Sequence, residues 1–473
     1  MLGIILAAGM GTRMKSSQPK VMHKLVSHPL LVWVLNSFEN LIEDKHYDKI
    51  AVVIGEKMPM VEQLLKNWSL EKGIEVNVFY QKERLGTGHA VKMAMPAIEK
   101  LKVDEPVYIL CGDVPLIKSD TLKNMLDEYR KKDSDIAVLT VEKTNPDGYG
   151  RIVKDKEGFI KKIVEHKDAN AQQLAIKEIN SGMYLVKASL LNKSLNHLKD
   201  DNQQGEYYLT DIVQWIDQNG GKAISVVTDD HHEVSGINNR YQLSILEKVA
   251  RERINKVHML NGVTMIDPNQ VYIDPEVTID PDCIIEPMTV IKGKTNIGRG
   301  CIIGPMTQID NSSIGDNNCI ERSHLSGVTV KNNVKIGPFA RLRENTILED
   351  EVKIGDFVET KKTTIGKGSK AQHLSYLGDT TIEEDVNIGA GTITCNYNGF
   401  SKNKTLIEKE AFIGSNTSLV APVRIGKGSI IGAGSVIVRD VPEDTLAIAR
   451  GKQSNKENRA SELKKKYKKE REG

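Results

Sequence analysis

Ile273-Asp-Pro-Glu-Val-Thr-Ile279-Asp-Pro-Asp-Cys-Ile-Ile285-Glu-Pro-Met-Thr-Val-Ile291-Lys-Gly-Lys-Thr-Asn-Ile297 places an isoleucine at every sixth residue. The step runs on through Ile303 and Ile309 and shortens at Ile314 before Ile320. It returns at Ile336, Leu342, Leu348 and Ile354, and again at Ile413, Leu419, Ile425, Ile431 and Ile437. Glycine often follows, as at Gly298, Gly304, Gly315, Gly337, Gly355, Gly389, Gly414, Gly426 and Gly432. An α-helix has no period of six, and a strand has a period of two. A sustained hexapeptide repeat is the signature of a parallel β-helix. Three hexads make one triangular coil of about 18 residues, and its aliphatic residues point inward onto their equivalents about 4.8 Å away in the next coil. Small residues ease the corners. Residues 263–437 predict roughly ten coils.

Two stretches depart from this rhythm, Arg322–Val334 and Tyr397–Lys409, and read as insertions looping from the solenoid surface. Of the five cysteines, Cys283 and Cys301 are one coil apart and read as small buried apolar residues. Cys319 lies past the shortened repeat and slips out of their column. With Cys111 and Cys395 the set is odd in number and has no C-x-x-C. That pattern argues against a disulfide framework and a zinc site, and for a reducing compartment.

Upstream, residues 239–261 lack Gly and Pro and carry apolar residues at helical spacing, predicting a connecting helix that stops at Gly262. Residues 1–230 follow a different grammar. Short apolar runs at Gly3–Ala8, Lys49–Ile54, Val107–Leu110 and Ile136–Val141 alternate with helix-like stretches such as Leu30–Leu41. That alternation predicts a mostly parallel sheet covered on both faces, with ligands beyond the carboxyl ends of its strands. The domains read as 1–230, a linker with the connecting helix at 231–262, the repeat region at 263–455, and a basic tail at 456–473 that forms a solvated helix.

The chain has 473 residues, with 65 Lys and Arg against 63 Asp and Glu. So even a balance gives no sign of a nucleic-acid or membrane-surface binder. No stretch approaches a membrane span. The apolar start lacks the basic segment of a signal peptide, so a cytoplasmic protein is expected.

Leu6-Ala-Ala-Gly-Met-Gly-Thr-Arg-Met14 follows a buried strand. Its glycines let the backbone approach a ligand, and its amides can face phosphate oxygens. Arg13 and Lys20 supply charge for a polyphosphate. Gln81-Lys-Glu-Arg-Leu-Gly-Thr-Gly-His-Ala90 is a second polar loop, suited to reading a nucleobase edge. Asp113, directly after a strand, reads as a turn former or, near phosphates, as a Mg2+ ligand. His231-His232 reads as structural, because neighbours on a strand face opposite ways.

In the repeat region Arg343 and Lys361 are one coil apart, so two cations should stack on one face. Such a stack makes sense with an anion between them, and otherwise reads as two solvated charges. His373, beside a basic pair, Tyr376 and the Asn396-Tyr397 insertion, has a general-base reading, histidine being the side chain best matched to taking a proton near neutral pH, and a structural one.

Together, L-A-A-G-x-G-T-R-M, P-K, L-G-T-G-H-A and G-D-V-P resemble the sugar-1-phosphate nucleotidylyltransferases. With the hexapeptide half attached, residues 2 to about 450 resemble one bifunctional family of bacterial cell-envelope precursor synthesis, the N-acetylglucosamine-1-phosphate uridylyltransferases/glucosamine-1-phosphate N-acetyltransferases. The resemblance implies a Rossmann-like nucleotidyltransferase domain with a mostly parallel sheet, a connecting helix, and a left-handed parallel β-helix. It implies that Leu6, Ala7, Ala8, Gly9, Gly11, Thr12, Gln81, Gly86 and Thr87 hold the uridine nucleotide, with Arg13 and Lys20 on its triphosphate. Asp113 and Asn238 would bind Mg2+. Gly150, Glu165, Asn180, Tyr207 and Asn238 would contact the sugar.

In the second half the resemblance implies that Arg343, Lys361, Tyr376 and Asn387 bind glucosamine-1-phosphate and that His373 is the base. Ala390, Asn396, Tyr397, Ser415, Ala433 and Arg450 would line the acetyl-CoA site. UTP and acetyl-CoA are the implied co-substrates, and a homotrimer the implied assembly. The sequence departs from the family pattern at Met10, Cys111, Ser235 and Arg343-Glu-Asn, and none of these removes a charge the chemistry needs. A uridylyltransferase whose β-helix is only a trimerising scaffold is the alternative.

Overall fold

The computed structural model describes residues 1–42 and 49–472. The chain forms two compact units, Met1–Arg251 and Glu252–Gly473. The boundary falls inside a helix, Arg240–Leu260, which occupies the stretch expected to be helical.

In the first unit, apolar runs form strands Leu2–Ala7 (β1), Lys49–Gly55 (β2), Val76–Gln81 (β3), Pro106–Cys111 (β4) and Ile136–Glu142 (β5). Arg151–Lys154 (β6), Ile160–Val164 (β7), Glu178–Lys187 (β8) and Ala223–Val227 (β9) complete the sheet. Its order is β9-β5-β8-β4-β1-β2-β3, with β6 joined to β8 and β7 to β6. Strands β4, β1, β2 and β3 are parallel, as are β5 and β9. Only β8 runs against both of its long neighbours, β4 and β5.

Both faces of β1 are buried. Ile5 and Ala7 join a cluster with Leu31, Leu35 and Phe38, while Leu2 and Ile4 join one with Ala90 and Val91. A strand buried on both faces has no reason to alternate, so these strands read as continuous apolar runs. Gly3 is required by close packing: a Cβ there would lie 2.5 Å from Cε1 of Phe38. The parallel register brings the ends of β1, β3 and β4 to one edge, where the glycine-rich loops begin. His231 and His232 lie in a turn and not on a strand, and their rings approach to 4.0 Å between centroids. The expectation that they face apart is corrected, because a turn does not impose a strand's alternation.

The second unit is a solenoid of three parallel sheets with eleven, ten and nine strands. Ile285 pairs with Ile303 on the first face, Ile291 with Ile309 on the second, and Ile297 with Ile314 on the third. These residues belong to one continuous buried cluster from Val263 to Val441. The six-residue period is therefore the inward-pointing position.

One expected insertion is absent. Arg322–Val334 continues the coil, with Leu325 stacked on Ile309 and Val330 on Ile314. The rhythm breaks because turns shorten by one residue and the coil contracts to 16, not because a loop is added. The second break does contain an insertion. Ile382 pairs with Ile407, seven residues beyond a regular coil, and the excess lies around Tyr397–Lys402. Thr405–Ile407 then resumes the third face.

Cys283 and Cys301 are fully buried. Cys319 pairs with Ile302, and Asn318 takes the next place in the cysteine column, its N–H 3.4 Å from Cys301 Sγ. At the start of the solenoid, buried Asn255 donates through Nδ2 to the carbonyls of Pro268 at 2.8 Å and Val271 at 3.0 Å. The basic tail lies in an exposed helix, Arg459–Glu472. Among the described residues no helix is long and apolar enough to cross a membrane.

Replacing Ile309, fully buried in the stack, by Ala should destabilise the solenoid by about 2–5 kcal/mol. Denaturant unfolding would check this, with the midpoint expected to fall.

Candidate active sites

The first site starts with backbone. After β1, Ala8 and Gly9 leave the sheet, and a Cβ on Gly9 would meet nothing within 4 Å, so this loop has open space beside it. Gly11 has φ 66°, in the region L side chains avoid, and a Cβ there would lie 2.5 Å from Lys20 Cβ. The chain then makes a short 3-10 turn, Thr12–Met14, that buries Met14 and leaves Thr12 and Arg13 exposed.

A cavity of about 290 Å3 opens beside this loop. Leu6, Ala7, Ala8, Gly9, Lys20, Gln81, Gly86, Thr87 and Asp113 line it, so most of the expected nucleotide residues converge there. Gln81 is buried and donates through Nε2 to the Gly86 carbonyl at 3.0 Å. Gly86 has φ 107°, and a Cβ there would lie 2.6 Å from the Tyr207 carbonyl oxygen. The loop is clamped to the segment opposite: Gly88 N–H donates to Tyr207 O at 2.8 Å, and Tyr207 N–H to Leu85 O at 2.7 Å. Leu209 N–H donates to Thr87 Oγ1 at 3.2 Å.

At the cavity mouth the Lys20 ammonium donates to Asp113 Oδ2 and, at 3.2 Å, to Asn238 Oδ1. Arg13 Nη2 donates to the same Asn238 oxygen at 3.0 Å. Two cations from the connection after β1 therefore meet two acceptor oxygens from two other segments. Cys111 borders it, with Sγ 3.4 Å from the Gly182 carbonyl, and burial followed by the Asp113 charge pushes its thiol up to about 12. It is inert there as a nucleophile.

The expected sugar residues form the adjoining wall. Asn180 N–H donates to Gly150 O at 2.9 Å. A Cβ on Gly150 would lie 3.5 Å from Glu165 Oε1 and 3.6 Å from Asn180 Cβ, so the three converge. Asn180 still pairs with Thr140, and the register of β8 shifts directly after it, before Tyr184. Its side chain is then held by Tyr184 Oη at 2.8 Å and by Gly182 N–H at 3.0 Å. Thr210 Oγ1 donates to Glu165 at 3.4 Å, while desolvation raises the Glu165 carboxyl above its ordinary range. Arg84 and Glu206 also line the cavity and were not singled out from sequence. Arg84 stood within a quoted motif, and its charge was the available signal. Met10 is exposed, and Ser235 is spent on the His231 carbonyl at 2.7 Å.

In the solenoid, Arg343 and Lys361 follow one another on the second face, with Arg343 N–H bonded to Thr360 O at 3.0 Å. The stack exists, but Arg343 Nη1 also donates to Glu359 Oε1 at 2.9 Å. Lys361 forms no ion pair among the described residues. Its partner one coil on is Gly378. A Cβ on Gly378 would lie 2.6 Å from both Tyr376 Oη and Asn396 Nδ2, so both groups converge where that side chain is missing. Asn396 Nδ2 donates to Asp379 Oδ2 at 2.6 Å, while Tyr397 stays 61% exposed on the inserted loop.

His373 ends its strand at the corner between the first and second faces. Tyr376 begins the next strand, so it stands between His373 and the Lys361 end of the second face. A single ladder of backbone hydrogen bonds runs along this corner. Gly391 N–H donates to His373 O at 3.3 Å, Asn416 N–H to Ala390 O at 2.7 Å, and Gly434 N–H to Ser415 O at 2.8 Å. Arg450 Nη1 closes it on the Ala433 carbonyl. His373, Ala390, Ser415 and Ala433 therefore mark one exposed line, a coil apart. Glycines precede its corners because the coils nearly touch: a Cβ on Gly414 would lie 2.5 Å from Ala433 N. Asn387 lies on the first face beside Lys370, away from the Arg343–Lys361 stack in the same chain.

Comparison with known proteins agrees with both halves. The nucleotidyl transferase family model matches residues 2–233. The GMPPB C-terminal domain model matches 268–356, and the bacterial transferase hexapeptide model matches 404–439. A protein of Thermosipho melanesiensis named bifunctional protein GlmU is 50% identical over 96% of this chain and 96% of its own. Its namesake in Thermotoga maritima is 46% identical over 97% of this chain and 98% of its own. Similarity that covers nearly the whole chain takes in both the cavity unit and the solenoid: the chain belongs to the bifunctional N-acetylglucosamine-1-phosphate uridylyltransferase/glucosamine-1-phosphate N-acetyltransferase family.

Proposed function

We infer that the chain makes UDP-N-acetylglucosamine in two steps, one in each unit. The solenoid transfers the acetyl group of acetyl-CoA to the amine of glucosamine-1-phosphate. The first unit transfers the uridylyl group of UTP to the product and releases pyrophosphate. The corner line headed by His373 carries this reading over that of a solenoid serving only as scaffold. A scaffold needs the inward stack but has no use for a histidine at the head of a groove of small residues.

In uridylyl transfer, a phosphate oxygen of the sugar phosphate attacks the α-phosphorus of UTP as the bond to the β-phosphate breaks. No protein nucleophile is needed, so catalysis rests on positioning and charge. Gln81, Gly86 and Thr87 position the base, with Leu6–Gly9, Gly11 and Thr12 along the nucleotide. Arg13 and Lys20 neutralise the departing pyrophosphate. Gly150, Glu165, Asn180 and Tyr207 hold the sugar. Asp113 and Asn238 hold Mg2+, and their oxygens already converge on a cation, the Lys20 ammonium, as a hard oxygen-ligated metal requires. When bound, Mg2+ adds positive charge to the triphosphate.

In acetyl transfer, Arg343 and Lys361 hold the acceptor phosphate and Tyr376 lies across the sugar. The amine nitrogen forms its bond to the thioester carbonyl carbon, His373 takes the amine proton, and the carbon–sulfur bond breaks to release CoA thiolate. Backbone groups at Ala390, Ser415 and Ala433, with Asn396, Tyr397 and Arg450, hold acetyl-CoA along the corner. Asn387 lies away from the Arg343–Lys361 stack of its own chain and, in a homotrimer, would join the acceptor site of a neighbouring copy. An exposed apolar ridge of Met288, Met306, Phe339, Phe357 and Leu374, each at least half exposed, supports the same assembly. Five free cysteines fit a cytoplasmic setting.

Purified protein given glucosamine-1-phosphate and acetyl-CoA should release thiol without UTP, and pyrophosphate only once UTP and Mg2+ are added. Pyrophosphate from supplied N-acetylglucosamine-1-phosphate with no thiol release would leave the solenoid as a scaffold. Lys20→Ala should lower uridylyl transfer by about 10²–10³-fold and leave thiol release intact. His373→Ala should do the converse, lowering acetyl transfer by about 10²–10⁴-fold.

A further inference from the structure

The corner line extends one coil below His373, to a residue not assigned above. His373 pairs in parallel register with Asp356, and Leu374 N–H donates to the Asp356 carbonyl at 2.8 Å. In-register parallel neighbours sit about 4.8 Å apart with side chains leaving on the same side. The coils approach closely at this point: a Cβ on the preceding Gly355 would lie 2.1 Å from the Gln372 carbonyl oxygen. Asp356 is half-buried, and its carboxylate has no hydrogen-bond or ion-pair partner among the described residues. Nor does the His373 imidazole; only the backbone carbonyl of that residue is engaged, by Ser375 Oγ and Gly391 N–H.

The other groups around His373 do not offer the same service. The coil above presents Ala390 and Gly391, which carry no charge. On its own strand Lys370 pairs in register with Lys353 at the far end, and Gln372 lies between. Tyr376 pairs with Glu359, whose carboxylate is taken by Arg343. Asp356 is the one acidic side chain in the corner line.

We propose that Asp356 is a positioning residue for His373, accepting a hydrogen bond from the imidazole N–H remote from the substrate amine. That bond fixes which ring nitrogen is free to take the amine proton, and it stabilises the imidazolium once the proton has moved. The proton itself stays on His373. The inference rests on the reading of His373 as the base.

The test uses the full-length enzyme with Asp356→Asn, Asp356→Glu and His373→Ala. Asp356→Asn keeps the shape and removes the charge. It should lower kcat for acetyl transfer by about 10- to 100-fold, with KM for both substrates little changed. The acidic limb of its kcat/KM profile should move to lower pH. Asp356→Glu should recover part of the rate, and uridylyl transfer should be unaffected in both. A profile for Asp356→Asn that superimposes on that of the unsubstituted enzyme overturns the proposal. So does a loss of acetyl transfer that comes with a lowered melting temperature and an unmoved profile. If His373→Ala keeps its acetyl transfer, the base reading itself fails. If His373→Ala is inactive while Asp356→Asn is unchanged, only the role of Asp356 fails.

Discussion

The inward stacking of one aliphatic side chain per face per coil governs the second unit. Ile285 on Ile303 and Ile291 on Ile309 set a register from which every outward residue is placed. Once that register holds, residues a coil apart in sequence become neighbours in space. Arg343 meets Lys361, and His373 meets Asp356, because inward neighbours on the same strands are stacked, Leu342 on Thr360 and Ile354 on Ala371. Site geometry in the solenoid is thus a by-product of core packing, with no separate scaffold to build it.

The nucleotidyltransferase unit meets the same demand differently. Its sheet supplies an edge, and loops with little side-chain bulk let distant segments converge there. Gly11 and Gly86 are needed because the Lys20 side chain or the Tyr207 backbone occupies the space a Cβ would take. The result is a cavity at whose mouth the charges of Arg13, Lys20 and Asp113 meet the amide oxygen of Asn238, none adjacent in sequence. The reversed strand β8 adds the adjoining wall through Asn180, just before its register shift.

Much of this was legible in the sequence, and for identifiable reasons. A period of six has one structural explanation, so the inward positions were read directly, and Cys319 was correctly expected to leave the cysteine column. Loops after buried strands were also readable, since parallel sheets put ligands there. Other features were not. A break in period does not reveal its sign, so the contracted coil at Arg322–Val334 looked like an insertion. Pairing of Arg343 with Glu359 depends on rotamers, which spacing does not report. Arg84 and Glu206 line one cavity from segments far apart in the chain, and spacing alone does not bring such segments together. The His231-His232 turn was misread because no apolar period distinguishes a turn from a short strand.

Stacked parallel strands leave one open row of backbone groups at each end of the pile, and such a row is a template for any other strand. At the first coil that row meets Asn255, which holds the carbonyls of Pro268 and Val271 from a helix that cannot itself extend a sheet. The helix end therefore acts as a stopper. It takes up carbonyls that an added strand would use at this end of the pile, and so opposes growth there into a fibre built on the same repeat.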